Sequence, residues 1–100
     1  MERKNLTKED IIEFLRRNKD FFKEEFDIDR IMLFGSYARE EATDESDIDI
    51  LIDTKTKDFD NRFRLKEFLE EEFKKKVDVL YKDSVRRFIM RSIKDELVYA

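Results

Sequence analysis

Two residue periods alternate along this chain, and that alternation limits its fold more than any other feature. Ile11, Ile12, Phe14, Leu15, Phe21, Phe22 and Phe26 recur on one helical face, and Thr7 with Asp10 three residues on makes a capping-box-like start to that helix. Ile31-Met32-Leu33-Phe34 is a continuous apolar run, too short for a helix and ended by a glycine, so it is predicted to be a buried strand. Ile48, Ile50 and Ile52 alternate with Asp47, Asp49 and Leu51, while Val77 and Val79 alternate with Asp78 and Leu80, which is the period of strands with two different faces. Between them Phe59, Phe63, Leu65, Phe68, Leu69 and Phe73 suit a helix, and Ser84 caps a last one bearing Val85, Phe88, Ile89, Ile93 and Leu97. The expected order is helix, strand, short helix, strand, helix, strand, helix. Strands alternating with helices indicate an α/β layer sandwich around a small sheet, and the pattern leaves open whether that sheet is parallel or mixed.

One hundred residues make one ordinary domain, 1–100, and with one Gly and no Pro there is no composition shift at which to divide it. Charged residues outnumber hydrophobic ones, 48% to 40%, but ten Phe supply enough apolar surface to fold. A net charge of -4 with both signs interspersed disfavours a polynucleotide partner. The absence of Cys and His excludes disulfides, thiolate or imidazole metal sites and every triad built on them, so any metal must sit on oxygen ligands. The N-terminus Met1-Glu2-Arg3-Lys4 is charged and no stretch suits a signal peptide or a membrane span, so a cytoplasmic protein is expected.

Side chains two apart on a strand share a face, which sets Asp47 and Asp49 together with Cα atoms roughly 7 Å apart. Such a pair can share bound cations, and magnesium commonly takes one or two carboxylates plus substrate phosphates. Asp78, on another strand, is the candidate third ligand. Two ions about 4 Å apart activate an attacking hydroxyl and stabilise leaving pyrophosphate. In so acidic a chain an Asp-x-Asp is often plain solvated surface. Gly35-Ser36, directly after the buried strand, shifts that balance: glycine lets a backbone approach a phosphate, a following helix N-terminus aims N–H groups at it, and Ser36 adds a hydroxyl. The chain uses glycine nowhere else, even in its other turns.

Other residues receive plainer readings. Asp53 shares the parity of Asp47 and Asp49 but lies at the strand's far end and reads as structural. Lys74-Lys75-Lys76 and Arg86-Arg87 with Arg91 read as solvated, salt-bridged faces with at most a partner contact. Phe59 and Phe63 broaden the apolar stripe of their helix; core is the default for them and a protein interface the alternative. An EF-hand loop is rejected because no glycine stands at the required place near Asp47.

Gly35-Ser36-Tyr37-Ala38-Arg39 followed by Ser46-Asp47-Ile48-Asp49-Ile50-Leu51 resembles the signature of the polymerase-β-like nucleotidyltransferase superfamily. Length, the helical segment before the first strand and the Val77-Asp78-Val79 strand look like its minimal members, commonly encoded beside HEPN-domain proteins as toxin-antitoxin pairs. The resemblance implies an α/β fold with a small central, mixed sheet flanked by helices. It makes Asp47 and Asp49 metal ligands, Asp78 the third carboxylate and general base, and Gly35 and Ser36 holders of the triphosphate, while Arg39 matches an often basic position. Glu40 stands where these proteins frequently have glycine.

The resemblance also implies a reaction, the transfer of AMP from ATP, with two magnesium ions, to a hydroxyl. The chain ends soon after Asp78 and has no added acceptor domain, so the acceptor is expected on a partner: a tyrosine of a HEPN toxin, with this chain as antitoxin. The rival from another class is a binding module that masks the toxin by contact alone, its nucleotide site vestigial.

Overall fold

The first helix begins where its cap forms. The Thr7 hydroxyl accepts from the Asp10 N–H at 3.1 Å and the Asp10 carboxylate accepts from the Thr7 N–H at 3.1 Å, the reciprocal pair the sequence implied. In the computed structural model, which describes residues 6–100, that helix is α1 (Lys8–Arg17). The charged run Met1 to Lys4 and the side chain of Phe88 lie outside the described parts.

The expected single helix is two. Asn18 leaves helical dihedrals (φ -109, ψ 18), and its side-chain amide donates to the Phe14 carbonyl at 2.8 Å, satisfying an end of α1 that would otherwise need the next turn. The chain restarts as α2 (Lys19–Phe26). The apolar face survives the break, because Ile11, Leu15, Phe22 and Phe26 are all buried.

Strands β1 (Ile28–Phe34), β2 (Ile48–Thr54), β3 (Val77–Tyr81) and β4 (Val98–Tyr99) form one sheet in the order β3-β2-β1-β4. β1 is antiparallel to β2 and β4, and β2 is parallel to β3, so the sheet is mixed. The register sets Ile31 opposite Ile52, Leu33 opposite Ile50, and Ile50 beside Val79. These residues share a core with Ile11, Leu15 and Phe22 and with Leu65 and Leu69 of α3 (Phe59–Phe73). On the opposite face Met32 and Leu51 are register partners and also fully buried. Period-two alternation sends Asp49 and Asp78 to that second face.

Phe14, Phe21, Phe22, Phe26 and Phe68 interlock with ring centroids 5.2 to 6.4 Å apart. Phe59 and Phe63 depart from the core expectation, with 79% and 56% of their surfaces exposed.

Two further expectations are corrected. No helix follows Ser36. The Arg39 N–H reaches the Gly35 carbonyl at 3.1 Å and the Glu41 N–H reaches the Ser36 carbonyl at 2.8 Å, but Glu40 adopts φ +61 and stops propagation after one turn. The last helix is not capped by Ser84 either. Lys82–Ser84 is a 3-10 turn, Val85 and Arg86 are extended, and α4 spans only Arg87–Ile93. Beyond it the chain forms β4, pairing with Met32 and Leu33, a strand absent from the expected order, which ended on the helix.

Glu40 therefore holds the left-handed turn without glycine, at a steric cost of about 1 kcal/mol. Glu40→Gly should stabilise the protein by up to about 1 kcal/mol, less the added flexibility of glycine. Urea unfolding should show a raised midpoint at unchanged slope; a lowered midpoint would mean that the Glu40 side chain contributes more than its backbone strain costs.

Candidate active site

The parallel register of β2 and β3 pairs Asp49 with Asp78. Adjacent strands lie about 4.8 Å apart, so these two carboxylates leave the same face side by side. Asp47 stands just before β2 and is exposed, as is Asp78, whereas Asp49 is partly buried. Burial pushes the Asp49 carboxyl up to about 6, and the neighbouring charges of Asp78 and Asp47 push it the same way against a smaller opposing pull from Arg39. Asp49 is thus placed among negative charges that its own surroundings do not balance.

The antiparallel register of β1 and β2 sets Phe34 opposite Asp49 and delivers Gly35 to its flank. Gly35 has φ +79, and a Cβ built there would lie 2.0 Å from Asp49 Oδ2 and 2.9 Å from its Cγ. The left-handed backbone alone does not explain the glycine, since Asp27, Glu40 and Lys74 adopt positive φ without one. What the position excludes is a side chain pressed against a carboxylate.

Buried Tyr37 and Ala38 anchor the turn that carries Ser36 and Arg39. The Arg39 guanidinium donates to Glu41 at 3.3 Å and to Glu96 at 3.1 and 3.3 Å. Before β2, the Ser46 hydroxyl accepts from the Thr43 N–H at 2.8 Å and so shapes the approach to Asp47. Lys75 ties the two loops together, with its ammonium on the Asp44 carbonyl at 2.8 Å and 5.7 Å from the Tyr37 ring centroid. Lys74 pairs with Glu71 at 2.8 Å, a salt-bridged surface as expected.

All six residues singled out in the sequence belong to one region: Asp49, Asp78 and Gly35 through strand register, Asp47, Ser36 and Arg39 through the adjoining turns. Asp53 stays apart, facing Arg30 across the strands at 3.9 Å. Glu96 was missed, and Lys75, read as part of a solvated face, instead bridges the two loops. Glu96 is one acid among 26 acidic residues, and no local pattern distinguishes it.

The donor set suits a hard cation, with carboxylate oxygens on one face and unbalanced negative charge at Asp49. Among the described residues no three such side chains close on one point tightly enough to hold an ion unaided. An open arrangement of this kind fits magnesium, whose shell is commonly completed by phosphate and water oxygens.

The signature of the polymerase β nucleotidyltransferase family matches residues 9–100, and the chain belongs to that family. It is 37% identical over 95 residues to the protein adenylyltransferase MntA of Thermococcus cleftensis, covering 94% of this chain and 96% of that protein. A solved minimal nucleotidyltransferase superimposes with a TM-score of 0.78 at 22% identity, covering 96% of this chain and 98% of that one, and so shares the fold. A chain from the complex of a tri-AMPylated Shewanella oneidensis HEPN toxin with its MNT antitoxin matches with a TM-score of 0.59 at 25% identity, covering 92% of this chain and 66% of that one.

The raised Asp49 carboxyl has a consequence for stability. A group whose folded pKa exceeds its unfolded value favours the fold while protonated and loses that contribution as pH rises from 3.8 through about 6. Asp49→Asn should therefore make the metal-free protein more stable than wild type at pH 7 to 8, with the advantage shrinking toward pH 4. Thermal unfolding across that range checks it, and a pH-independent difference would contradict the assignment. Gly35→Ala should destabilise wild type strongly and an Asp49→Ala background less. Additive losses would mean that the clash lies elsewhere.

Proposed function

We propose that this chain is a magnesium-dependent protein adenylyltransferase that moves AMP from ATP onto a hydroxyl of a partner HEPN-type toxin, a tyrosine being the expected acceptor, and thereby acts as its antitoxin. The observation that carries the reading is the convergence of Asp49, Asp78 and the Gly35 turn, which packs the turn after β1 directly against a carboxylate face. Family membership supports the reaction class, as does the relative named a protein adenylyltransferase. The AMPylated toxin held by an MNT antitoxin supports the partner.

In this reading Asp47 and Asp49 hold the metal, and Asp78 completes the carboxylate set. Magnesium, when bound, supplies neutralisation of the triphosphate and of the leaving pyrophosphate. Gly35 and Ser36 receive the phosphates on a single turn, without the helix N-terminus expected from the sequence; the Gly35 N–H is already given to Glu96, so the Ser36 hydroxyl and the N–H groups after Gly35 do the holding. Arg39 adds a fixed positive charge at the rim of the turn. Asp78, exposed beside Asp49, takes the proton from the incoming hydroxyl as that oxygen attacks the α-phosphorus.

The reading assigns the chain to the cytoplasm, where ATP is supplied; among the described residues no helix is long and apolar enough to cross a membrane. Glu40, standing where glycine is frequent in the family, is the departure that would favour the masking alternative, but that residue keeps a left-handed turn.

Incubation with ATP, magnesium and the partner should add one or more AMP units to the partner's mass, and chelation should stop it. Asp78→Asn should retain much of the binding of a non-hydrolysable ATP analogue yet abolish transfer, because a general base acts in the transition state more than in ground-state binding. Neutralisation of the toxin without ATP, at unchanged partner mass and with no effect of Asp78→Asn, would sink the enzymatic reading in favour of masking.

A further inference from the structure

Glu96 reaches from the far end of the chain into the turn after β1. Its Oε2 accepts the Gly35 N–H at 2.5 Å, and its carboxylate accepts from Arg39 Nη1 at 3.1 and 3.3 Å. The side chain is only 15% exposed. Its backbone is held from both directions: the Glu96 N–H donates to the Ile93 carbonyl at 2.9 Å, and two residues on Val98 pairs with Leu33 and Tyr99 with Met32. The Ala100 N–H closes the strand on the Ile31 carbonyl at 3.1 Å.

Arg39 would otherwise be a long, half-exposed side chain with many rotamers. Glu41 holds its Nε from one side and Glu96 holds Nη1 from the other, so the guanidinium plane is fixed before any ligand arrives. The same carboxylate fixes the Gly35 N–H, and with it the turn that lies against Asp49. Two charge-assisted bonds to one anchored acid couple the basic rim of the site to its carboxylate face. An acid so near a triphosphate site would repel the ligand if its charge were free; Arg39 and the Gly35 N–H offset part of that charge, and the remainder adds to the field that raises Asp49.

We propose that Glu96 is a positioning residue of the nucleotide site, setting Arg39 and the Gly35 turn in the orientation that receives the triphosphate. The inference rests on the nucleotidyltransferase reading above. Glu96 acts through Arg39 and the turn and takes no part in the chemistry. Its contribution belongs to nucleotide affinity, with little left for the rate of the bound complex.

The test is a double-mutant cycle on the affinity of a non-hydrolysable ATP analogue with magnesium, read by calorimetry on the full chain. Glu96→Ala should weaken binding about tenfold, the size of one lost charge-assisted bond. Arg39→Met should weaken it similarly, and the double variant little further, because the second change removes a contact already lost. Glu96→Gln, which keeps the shape and an acceptor oxygen, should lose less than Glu96→Ala, and it carries the cycle if the alanine variant folds poorly. In transfer assays the loss should appear in KM for ATP, with kcat near wild type.

Equal or tighter binding in Glu96→Ala would overturn the proposal, making Glu96 a competitor of phosphate. Strictly additive losses with Arg39→Met would also overturn it. Failure of the parent reading has a separate signature: wild type would not bind the analogue with magnesium, or Asp47→Asn and Asp49→Asn would leave binding unchanged. Normal wild-type binding with indifferent Glu96 variants rejects the positioning role alone.

Discussion

The contact between Gly35 and Asp49 organises the rest of the site. A carboxylate oxygen occupies the space where a Cβ of residue 35 would sit, 2.0 Å away, so the turn and the acidic strand can approach only through glycine. The antiparallel pairing of Phe34 with Asp49 makes that approach unavoidable, and the parallel pairing of Asp49 with Asp78 then sets the third carboxylate beside it. One close packing contact thereby joins three strands' worth of chemistry. Because the constraint is steric, it tolerates less variation than the left-handed turns at Asp27, Glu40 and Lys74, where ordinary residues suffice.

The same contact has an electrostatic side. Partial burial of Asp49 next to Asp78 and Asp47 raises its carboxyl to about 6, a local instability that a folded protein keeps only where something else offsets it. The fold supplies the means on its opposite face, where the interlocked Phe side chains and the aliphatic residues of α1 and α3 pack against the strands that carry the acids. The stabilising half of the molecule and the strained half share β1, β2 and β3 and are separated by the alternation of the strands.

The aromatic residues show how far periodicity can be followed. With 3.6 residues per turn, the midpoint of Phe59 and Phe63 lies roughly 150° around α3 from the face formed by Leu65, Phe68 and Leu69. Their separation from the core face was thus legible in the spacing, although the abundance of Phe made core the natural default. Their exposure leaves an apolar strip at the start of α3 beside Arg62, whose guanidinium lies 5.7 Å from the Phe59 ring centroid.

By itself the sequence determined the α/β layering, the strands that carry acids and the capping-box start at Thr7, and it singled out Gly35, Ser36, Arg39, Asp47, Asp49 and Asp78, which the fold gathers in one region, because these readings depend on local periods and on residue chemistry along a short stretch. Tertiary structure alone decided that the chain after α4 turns into an edge strand, whereas the break at Asn18 and the missing helix after Ser36 follow from local geometry that periodicity does not show. Two residues of Val98 and Tyr99 have no period to read; they become a strand only because β1 leaves an edge with unpaired N–H and C=O groups for them to meet. The reason for the glycine was equally hidden, since the side chain that excludes a Cβ at position 35 arrives from β2, fourteen residues on. Glu96, 61 residues from Gly35 and 57 from Arg39, joins the site through pairing that no local pattern encodes.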